Sequence, residues 1–284
     1  MSKNKIKVLV LGSTGILGST VKRFFKKKVN LCYISRNKYE GEYLKDFTNF
    51  QKLKKIILKL EPKYIINCIG VTKFNKSINN KTETKKININ LPIFLSNLCL
   101  MRKIYFVHIS TDCVFSGLKG NYTENSKKDA KDLYGLSKSK SEVKNKFSVT
   151  IRTSFIGPEL KTKKSLLNWF LSQKRSVRGF KNAFFSGLTS LELAKIIYVY
   201  FIKNTFLYNK IIHIGGKKIS KYDLLKTISR IFNKKIKITS FFDFKIDRSL
   251  NSVTFKNRSK YKIKTWKLMI KELRLFMIKN NYNF

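Results

Sequence analysis

The sequence predicts an α/β protein: a doubly wound, mainly parallel sheet with helices on both faces, followed by a smaller C-terminal α/β lobe. Two observations predict it. An apolar run, Ile6 to Leu11, leads into three glycines spaced three apart (Gly12, Gly15, Gly18), and a helix follows with Leu17, Val21, Phe24 and Phe25 at helical spacing. Further apolar runs at 30–36, 64–70 and 104–109 alternate with helix-periodic segments, the order in which parallel sheets are wound.

Composition narrows the class. With 284 residues the chain can bury a large core without staples, and its four cysteines (Cys32, Cys68, Cys99, Cys113) show no CxxC spacing. With only His108 and His213 beside them, no zinc constellation is visible, so no metal is expected and the chain reads as reduced and cytoplasmic. No apolar run reaches the length of a membrane span, and the N-terminal residues lead directly into the first strand with no signal-peptide core. The formal charge is +45, from 61 Lys and Arg against 16 Asp and Glu. A nucleic-acid patch is local, whereas these lysines run along nearly the whole chain, so the charge predicts attraction of anionic substrates and no specific nucleic acid.

The glycine stretch is the first element. Where strand becomes helix, unpaired N–H groups and the helix dipole favour an anion, and glycine lets the backbone approach a pyrophosphate. Gly12, Ser13, Thr14, Gly15, Ile16, Leu17 and Gly18 are therefore candidates for the phosphate turn of a dinucleotide site, in a GxxGxxG variant. The second strand, 30–36, ends roughly 20 residues on, where an NAD site places Asp or Glu on the ribose 2′-hydroxyl. Here stand Ser35 and Arg36, a donor and a guanidinium suited to the 2′-phosphate of NADP. NADP(H) is the expected cofactor, with NAD(H) as the alternative. Asp46 and Phe47 are placed to edge the adenine.

A helix over 50–60 leads through Pro62 to the strand 64–70, whose end, Cys68, Ile69 and Gly70, again permits close backbone approach. Residues 73–86 read as a polar loop or frayed helix, and 88–101 as a helix. Strand 104–109 then delivers Ser110, Thr111, Asp112 and Cys113 to the carboxyl end of the sheet, where open α/β sheets bind ligands. His108, within that strand, reads as a hydrogen-bonded interior histidine. Beyond a polar loop, Tyr134 and Lys138 share one face of a helix, so the ammonium is expected near the phenol, lowering its pKa and holding ribose hydroxyls. Such a phenol protonates a carbonyl oxygen as hydride arrives, and a threonine hydroxyl positions that oxygen. A second Tyr-x-x-x-Lys pair, Tyr222 and Lys226, reads as helix surface.

The C-terminal half predicts helices over 166–171 and 191–201, a strand at 210–214 returning to the main sheet, and a helix over 221–232 capped by Ser220. A short strand at 235–239 and a final basic helix over 266–278 complete it. The apolar stripe of that last helix (Trp266, Met269, Ile270, Leu273, Met277) is expected to pack on the domain in preference to a membrane surface.

Taken together, these segments resemble the extended short-chain dehydrogenase/reductases, and within them the dTDP-4-dehydrorhamnose reductase group of sugar-nucleotide reductases. The likeness lies in Gly12-x-x-Gly15-x-x-Gly18, in Asn67 to Gly70, in Ser110 to Gly117, in Tyr134 to Lys138 and in Arg152-Thr153-Ser154, and extends weakly to 246–250. It implies a Rossmann-type cofactor domain over 1–154 and a substrate-binding region over 155–284, with a helix and strand near 190–214 returning to the main sheet. It also implies Thr111, Tyr134 and Lys138 as the catalytic trio, with Tyr134 and Lys138 touching the cofactor too. Asp112, Cys113, Arg152, Ser154 and Arg248 are the implied substrate residues, the two arginines toward the diphosphate or the sugar.

Two departures qualify the resemblance. Family dehydratases carry Asp-Glu after the threonine, whereas this chain has Asp112-Cys113, which argues against dehydration. The group's aromatic residue at that junction is also replaced by cysteine. The expected activity is NADPH-dependent reduction of the keto group of a nucleotide-activated 4-keto-6-deoxy sugar, for deoxysugar and surface polysaccharide biosynthesis. The alternatives are an NAD-dependent nucleotide-sugar 4-epimerase and a non-catalytic NADP-binding regulatory subunit.

Overall fold

The computed structural model describes residues 5–36, 40–73, 76–160, 163–205 and 207–282. Residues 1–4 of the N-terminal stretch and 74–75 of the predicted polar segment lie outside them. The first half runs β1 (Lys7–Leu11), α1 (Ile16–Phe25), β2 (Asn30–Ser35), β3 (Glu42–Tyr43), α2 (Phe50–Leu60), β4 (Tyr64–Asn67), α3 (Lys81–Lys85), α4 (Leu91–Arg102), β5 (Tyr105–Ile109), α5 (Leu133–Lys140) and β6 (Ser148–Arg152). The second half begins with β7 (Phe155–Ile156), α6 (Leu166–Ser172), β8 (Val177–Phe180), β9 (Ala183–Phe185), β10 (Leu188–Thr189), α7 (Ser190–Ile197) and β11 (Lys210–His213). It ends with β12 (Ile219–Ser220), α8 (Lys221–Ile231), β13 (Ile238–Phe241), β14 (Ile246–Asp247), α9 (Val253–Ser259) and α10 (Trp266–Lys279).

Seven strands form one sheet in the order β11-β6-β5-β4-β1-β2-β3, and every pairing in it is parallel. Winding starts at β1 and departs in both directions, with Val10 of β1 registered between Tyr33 of β2 and Ile66 of β4. A crevice therefore opens at the carboxyl ends of β1 and β4, because the helices after them cross to opposite faces. The alternation of β1 shows both faces covered. Val8 and Val10 pack with Leu17, Val21 and Phe25 of α1, whereas Leu9 and Leu11 pack with Leu53 and Ile57 of α2 and Leu95 of α4.

The strand expected at 210–214 is β11, which closes the sheet edge against β6, Ile212 beside Ile151. The remaining strands make small sheets of two or three, including β12-β9-β14 and β13-β8. Ser220 caps α8 as expected, its hydroxyl accepting from Asp223 N. The stripe on α10 is wholly buried, facing α7 and α8. No helix among the described residues is long and apolar enough to cross a membrane.

Two local features depart from simple periodicity. The helical segments at Lys86–Asn90 and Tyr198–Ile202 are π turns, which insert a residue into the helical repeat. The short strand expected at 235–239 forms instead at Ile238–Phe241, where parallel pairing sets Ile238 beside Val177.

Candidate active site

A cleft of 1390 Å³ runs along the carboxyl end of the sheet, from the glycine turn past β5 and α5 into the C-terminal lobe. At its first end the wall is backbone. Gly12 has φ +81°, and a Cβ there would lie 3.0 Å from the Cys68 carbonyl carbon and the Ile69 nitrogen, so β1 and β4 approach too closely for a side chain. Gly15 N donates to Gly12 O at 3.1 Å, drawing the turn tight before α1. Ser13 Oγ lies in this turn, buried and without a hydrogen-bond partner among the described residues. Such an orphan on a cleft wall next to a helix N-terminus fits an anionic ligand, which would supply the missing acceptor.

Ser13, Thr14, Ile16, Leu17, Ser35, Arg36, Asp46, Phe47, Cys68, Ile69 and Gly70 all line the cleft with Gly12 and Gly15. Gly18 does not. Its Cβ would lie 2.1 Å from Gly12 O, so this glycine lets α1 seat closely on the turn. Arg36 is exposed, whereas Ser35 and Phe47 are buried. Asp46 is committed to a turn, accepting from Thr48 N and Thr48 Oγ1 at 2.8 Å, and these bonds hold its carboxyl below the usual range.

At mid-cleft, β5 ends at Ile109 and sets Thr111 against the N-terminal half of α5. Asp132 caps that helix, accepting from Gly135 N, and a Cβ on Gly135 would lie 2.2 Å from Cys113 O, so the helix seats directly on the Thr111–Cys113 segment. Thr111 Oγ1 donates to Asp112 Oδ1 and accepts from Cys113 N, each at 3.1 Å. Burial, reinforced by Cys113, pushes the Tyr134 phenol well above its ordinary value, and the facing Thr111 hydroxyl opposes that. Lys138 is buried, its Nζ donating to Ile109 O at 2.7 Å and lying 3.4 Å from His108 Nε2. Burial lowers its pKa to about 8, with Glu142 and Cys68 opposing.

This corrects the expected effect of Lys138 on Tyr134. The lysine is held by a main-chain carbonyl, and the phenol stays neutral, a state suited to donating a proton. His108 is an interior histidine, its Nδ1 3.3 Å from Asn67 Nδ2 and its pKa pressed well down by burial and by Lys138.

Asn88, which sequence reasoning passed over, supports this arrangement from the π turn before α4. Its side chain accepts from Val71 N at 2.8 Å and donates to Val71 O at 2.9 Å and Ser137 Oγ at 3.0 Å, tying the loop after β4 to α5. Nothing but a polar residue in a helical run marked it in the sequence.

At the far end, Asp112, Cys113, Ser154 and Arg248 line the cleft. Burial raises Asp112, with Lys221 and Arg248 opposing, and pushes the Cys113 thiol up to about 11. Arg248 Nε donates to Phe115 O at 3.0 Å. Phe184, Phe185 and Lys221, none of them singled out by sequence, complete this wall. Lys221 was hidden among many lysines.

Arg152, expected at the substrate, is elsewhere. It is 3 % exposed, absent from the cleft wall, and held in a fork by Glu142, Nε to Oε1 at 2.7 Å and Nη2 to Oε2 at 2.9 Å. Its Nη1 lies 3.1 Å from both Glu124 O and His213 Nε2. Glu142 also accepts from Ser110 Oγ at 3.1 Å, so this buried pair braces the strand end behind Thr111. Among the described residues, no group of three His, Cys, Asp or Glu stands where it could hold a metal ion.

Comparison with known proteins places these features. The chain is 26 % identical to a hypothetical dTDP-4-dehydrorhamnose reductase from Sulfolobus tokodaii, with TM-score 0.78 over 92 % of this chain and 97 % of that one. It superposes on the dTDP-4-dehydrorhamnose reductase of Bacillus anthracis, solved in complex with NADP, with TM-score 0.82 at 18 % identity over 96 % and 99 % of the two chains, a likeness of fold. Among curated proteins it is 28 % identical over 135 residues to the Haloferax volcanii protein named "Probable low-salt glycan biosynthesis reductase Agl14", covering 45 % of each chain. It is 27 % identical over 139 residues to methionine adenosyltransferase 2 subunit beta of Xenopus tropicalis, covering 48 % of this chain and 41 % of that one. The chain thus spans under half the length of the curated relatives it matches. The family profile described as RmlD substrate binding domain matches residues 6–241, both the glycine-turn sheet and most of the C-terminal lobe, and the chain belongs to that family.

Proposed function

We propose that this protein is an NADPH-dependent oxidoreductase that reduces the keto group of a nucleotide-activated 4-keto-6-deoxy sugar, in deoxysugar and surface polysaccharide biosynthesis. The observation that carries the reading is one continuous cleft joining the glycine turn, Thr111, Tyr134 and Lys138, and a charged wall of the C-terminal lobe. The reductase names of the solved and curated relatives support it.

In this reading NADPH, when bound, supplies the hydride. The backbone of Gly12 to Leu17 and the orphan Ser13 hydroxyl hold its pyrophosphate, Ser35 and Arg36 its 2′-phosphate, and Asp46 and Phe47 edge its adenine. Thr111 positions the keto oxygen. Tyr134, kept protonated by its buried surroundings, gives its proton to that oxygen as negative charge develops there. The ammonium of Lys138, positively charged below about pH 8, holds ribose hydroxyls. Arg152 has no direct part, since Glu142 occupies it.

The direct test is a panel of nucleotide-linked keto sugars, with NADPH oxidation followed by absorbance and product stereochemistry assigned by NMR. Turnover confined to the nucleotide-linked sugars is the expected result, and equal rates on simple ketones overturn it. The match to a methionine adenosyltransferase subunit favours a second reading, an NADP-binding regulatory subunit. Tight NADPH binding without turnover across the panel would put that reading first.

A further inference from the structure

Tyr134 and Lys138 stand four residues apart on α5, and Glu142 follows after four more, just past the end of the helix. Unlike those two it is absent from the cleft wall. Its side chain is 1 % exposed. Burial works to raise such a carboxyl, yet the Arg152 fork and Lys128, whose Nζ stands 3.2 Å from Oε2, hold it below its ordinary value, so it is charged at neutral pH. A carboxylate that served only to neutralise Arg152 would need no tie to the cleft. This one has such a tie.

Ser110, a residue of the cleft wall, donates its hydroxyl to Glu142 Oε1 at 3.1 Å. Its neighbour Ile109 accepts from Lys138 Nζ at 2.7 Å. Two successive residues at the end of β5 are therefore gripped by two side chains four apart in the chain, Ile109 by Lys138 and Ser110 by Glu142. The next residue is Thr111, whose hydroxyl faces Tyr134. Glu142 also acts on Lys138: burial lowers the ammonium, and the carboxylate opposes that more than any other group. The other titratable groups facing Lys138 are Cys68 beyond β4, pushed up to about 12 by burial, and His108 in β5, pressed well down by burial. Both are neutral at pH 7, so of these three Glu142 alone carries charge.

We propose that Glu142 is a positioning residue of the active site: working through Ser110 from behind the cleft wall, it fixes the strand end that presents Thr111 to Tyr134, beside the lysine of the same helix. The inference rests on the reading of Thr111, Tyr134 and Lys138 as the reacting face, and part of its test needs no turnover.

The test uses the full chain. NADPH affinity is followed by fluorescence across roughly pH 6 to 10, spanning the Lys138 value of about 8, and kcat and KM are read on the best sugar of the keto-sugar panel. Ser110→Ala leaves the Arg152 fork intact and is expected to lower kcat by about ten- to a hundredfold, the scale of a misplaced reacting group, with KM, NADPH affinity and melting temperature near their original values. Glu142→Gln removes the charge, and the fall of NADPH affinity with rising pH moves to lower pH. That displacement vanishes in a Lys138→Met background. Because Glu142→Gln strands a buried guanidinium, the paired change Glu142→Met with Arg152→Met, which removes both charges, carries the same readout if the single variant does not fold. In the paired background Ser110→Ala costs nothing further, since serine and carboxylate act as one unit.

An unmoved pH profile overturns the proposal and leaves Glu142 a structural partner of Arg152. So does an unaltered kcat in Ser110→Ala, and so does a Ser110→Ala loss that persists in full in the paired background, which marks a direct contact of Ser110 with ligand. A protein that binds NADPH and turns over no keto sugar loses the reductase assignment, and the pH profile alone then decides on Glu142. Turnover with an unmoved profile keeps the reductase and loses the positioning role.

Discussion

At the glycine turn the cleft wall is main chain: Gly12 at φ +81° stands against Cys68 and Ile69, and a buried Ser13 hydroxyl lies ready for an acceptor. At the substrate end the wall is side chain: Asp112 and Cys113 after β5, Phe184 and Phe185 in β9, Lys221 on α8 and Arg248 beyond β14. The first end is specified by two short stretches, 12–17 and 68–70, and admits little variation, because added volume meets backbone that cannot move. The second is gathered from four stretches, and its charge can be retuned by one substitution without disturbing the sheet. Backbone recognises what is constant in a ligand, and side chains recognise what differs between ligands.

Tyr134, where the two ends meet, is the sharpest point at which to test this contrast. Tyr134→Phe is expected to cut turnover by about 10²- to 10⁴-fold, the range of a lost general acid, while NADPH affinity stays near its original value. Near-normal turnover of a verified substrate would remove the phenol from the chemistry. Next is Arg36→Ala, a side-chain change at the backbone-built end. Loss of its charge-assisted contact should weaken NADPH by about 1.5–3 kcal/mol and leave NADH unaltered, and equal losses for both would return the whole task to the main chain.

Gly12→Ala probes the main chain itself. A Cβ 3.0 Å from the Cys68 carbonyl carbon at positive φ should cost roughly 1–3 kcal/mol of stability, seen as a lower melting temperature together with weaker NADPH binding. An unaltered melting curve would show that the turn gives way more easily than the contrast supposes.

The smallest effect is one of pH. Lys138 titrates at about 8 in the fold against 10.5 when unperturbed, so deprotonation in the fold precedes that in the unfolded chain. The unfolded chain binds more protons between those values, and the contribution of this group to stability therefore rises with pH across that window. NADPH affinity moves the other way, falling by up to about tenfold from pH 7 to 9 as the ammonium is lost, and Lys138→Met should flatten that profile. A profile that keeps its slope in the variant would assign the titration to another group.

How much of this was legible in the sequence differs between the two ends for the same reason that their construction differs. The glycine turn, β5 with Thr111, and α5 with Tyr134 and Lys138 are each contiguous stretches, and the burial alternation of β1 or the stripe of α10 is a local period. Arg152 misled, because a guanidinium at a strand end looks free until Glu142, ten residues back, is seen to fork onto it. Gly18 packs against Gly12 O, a neighbour its spacing alone does not reveal. Lys221 gave no signal, one lysine in a chain with 61 Lys and Arg.

By itself, then, the sequence determined the order of strands and helices, the glycine turn and the residues presented at mid-cleft, since periodicity, glycine freedom and helix-face spacing act over a few residues. Only the tertiary structure decided which charges are spent inside the fold and which face the cleft. Arg152 is held by Glu142 inside the fold, whereas Lys221 lies over the Phe185 ring on the cleft wall, and that difference is set by tertiary packing, which no local pattern encodes.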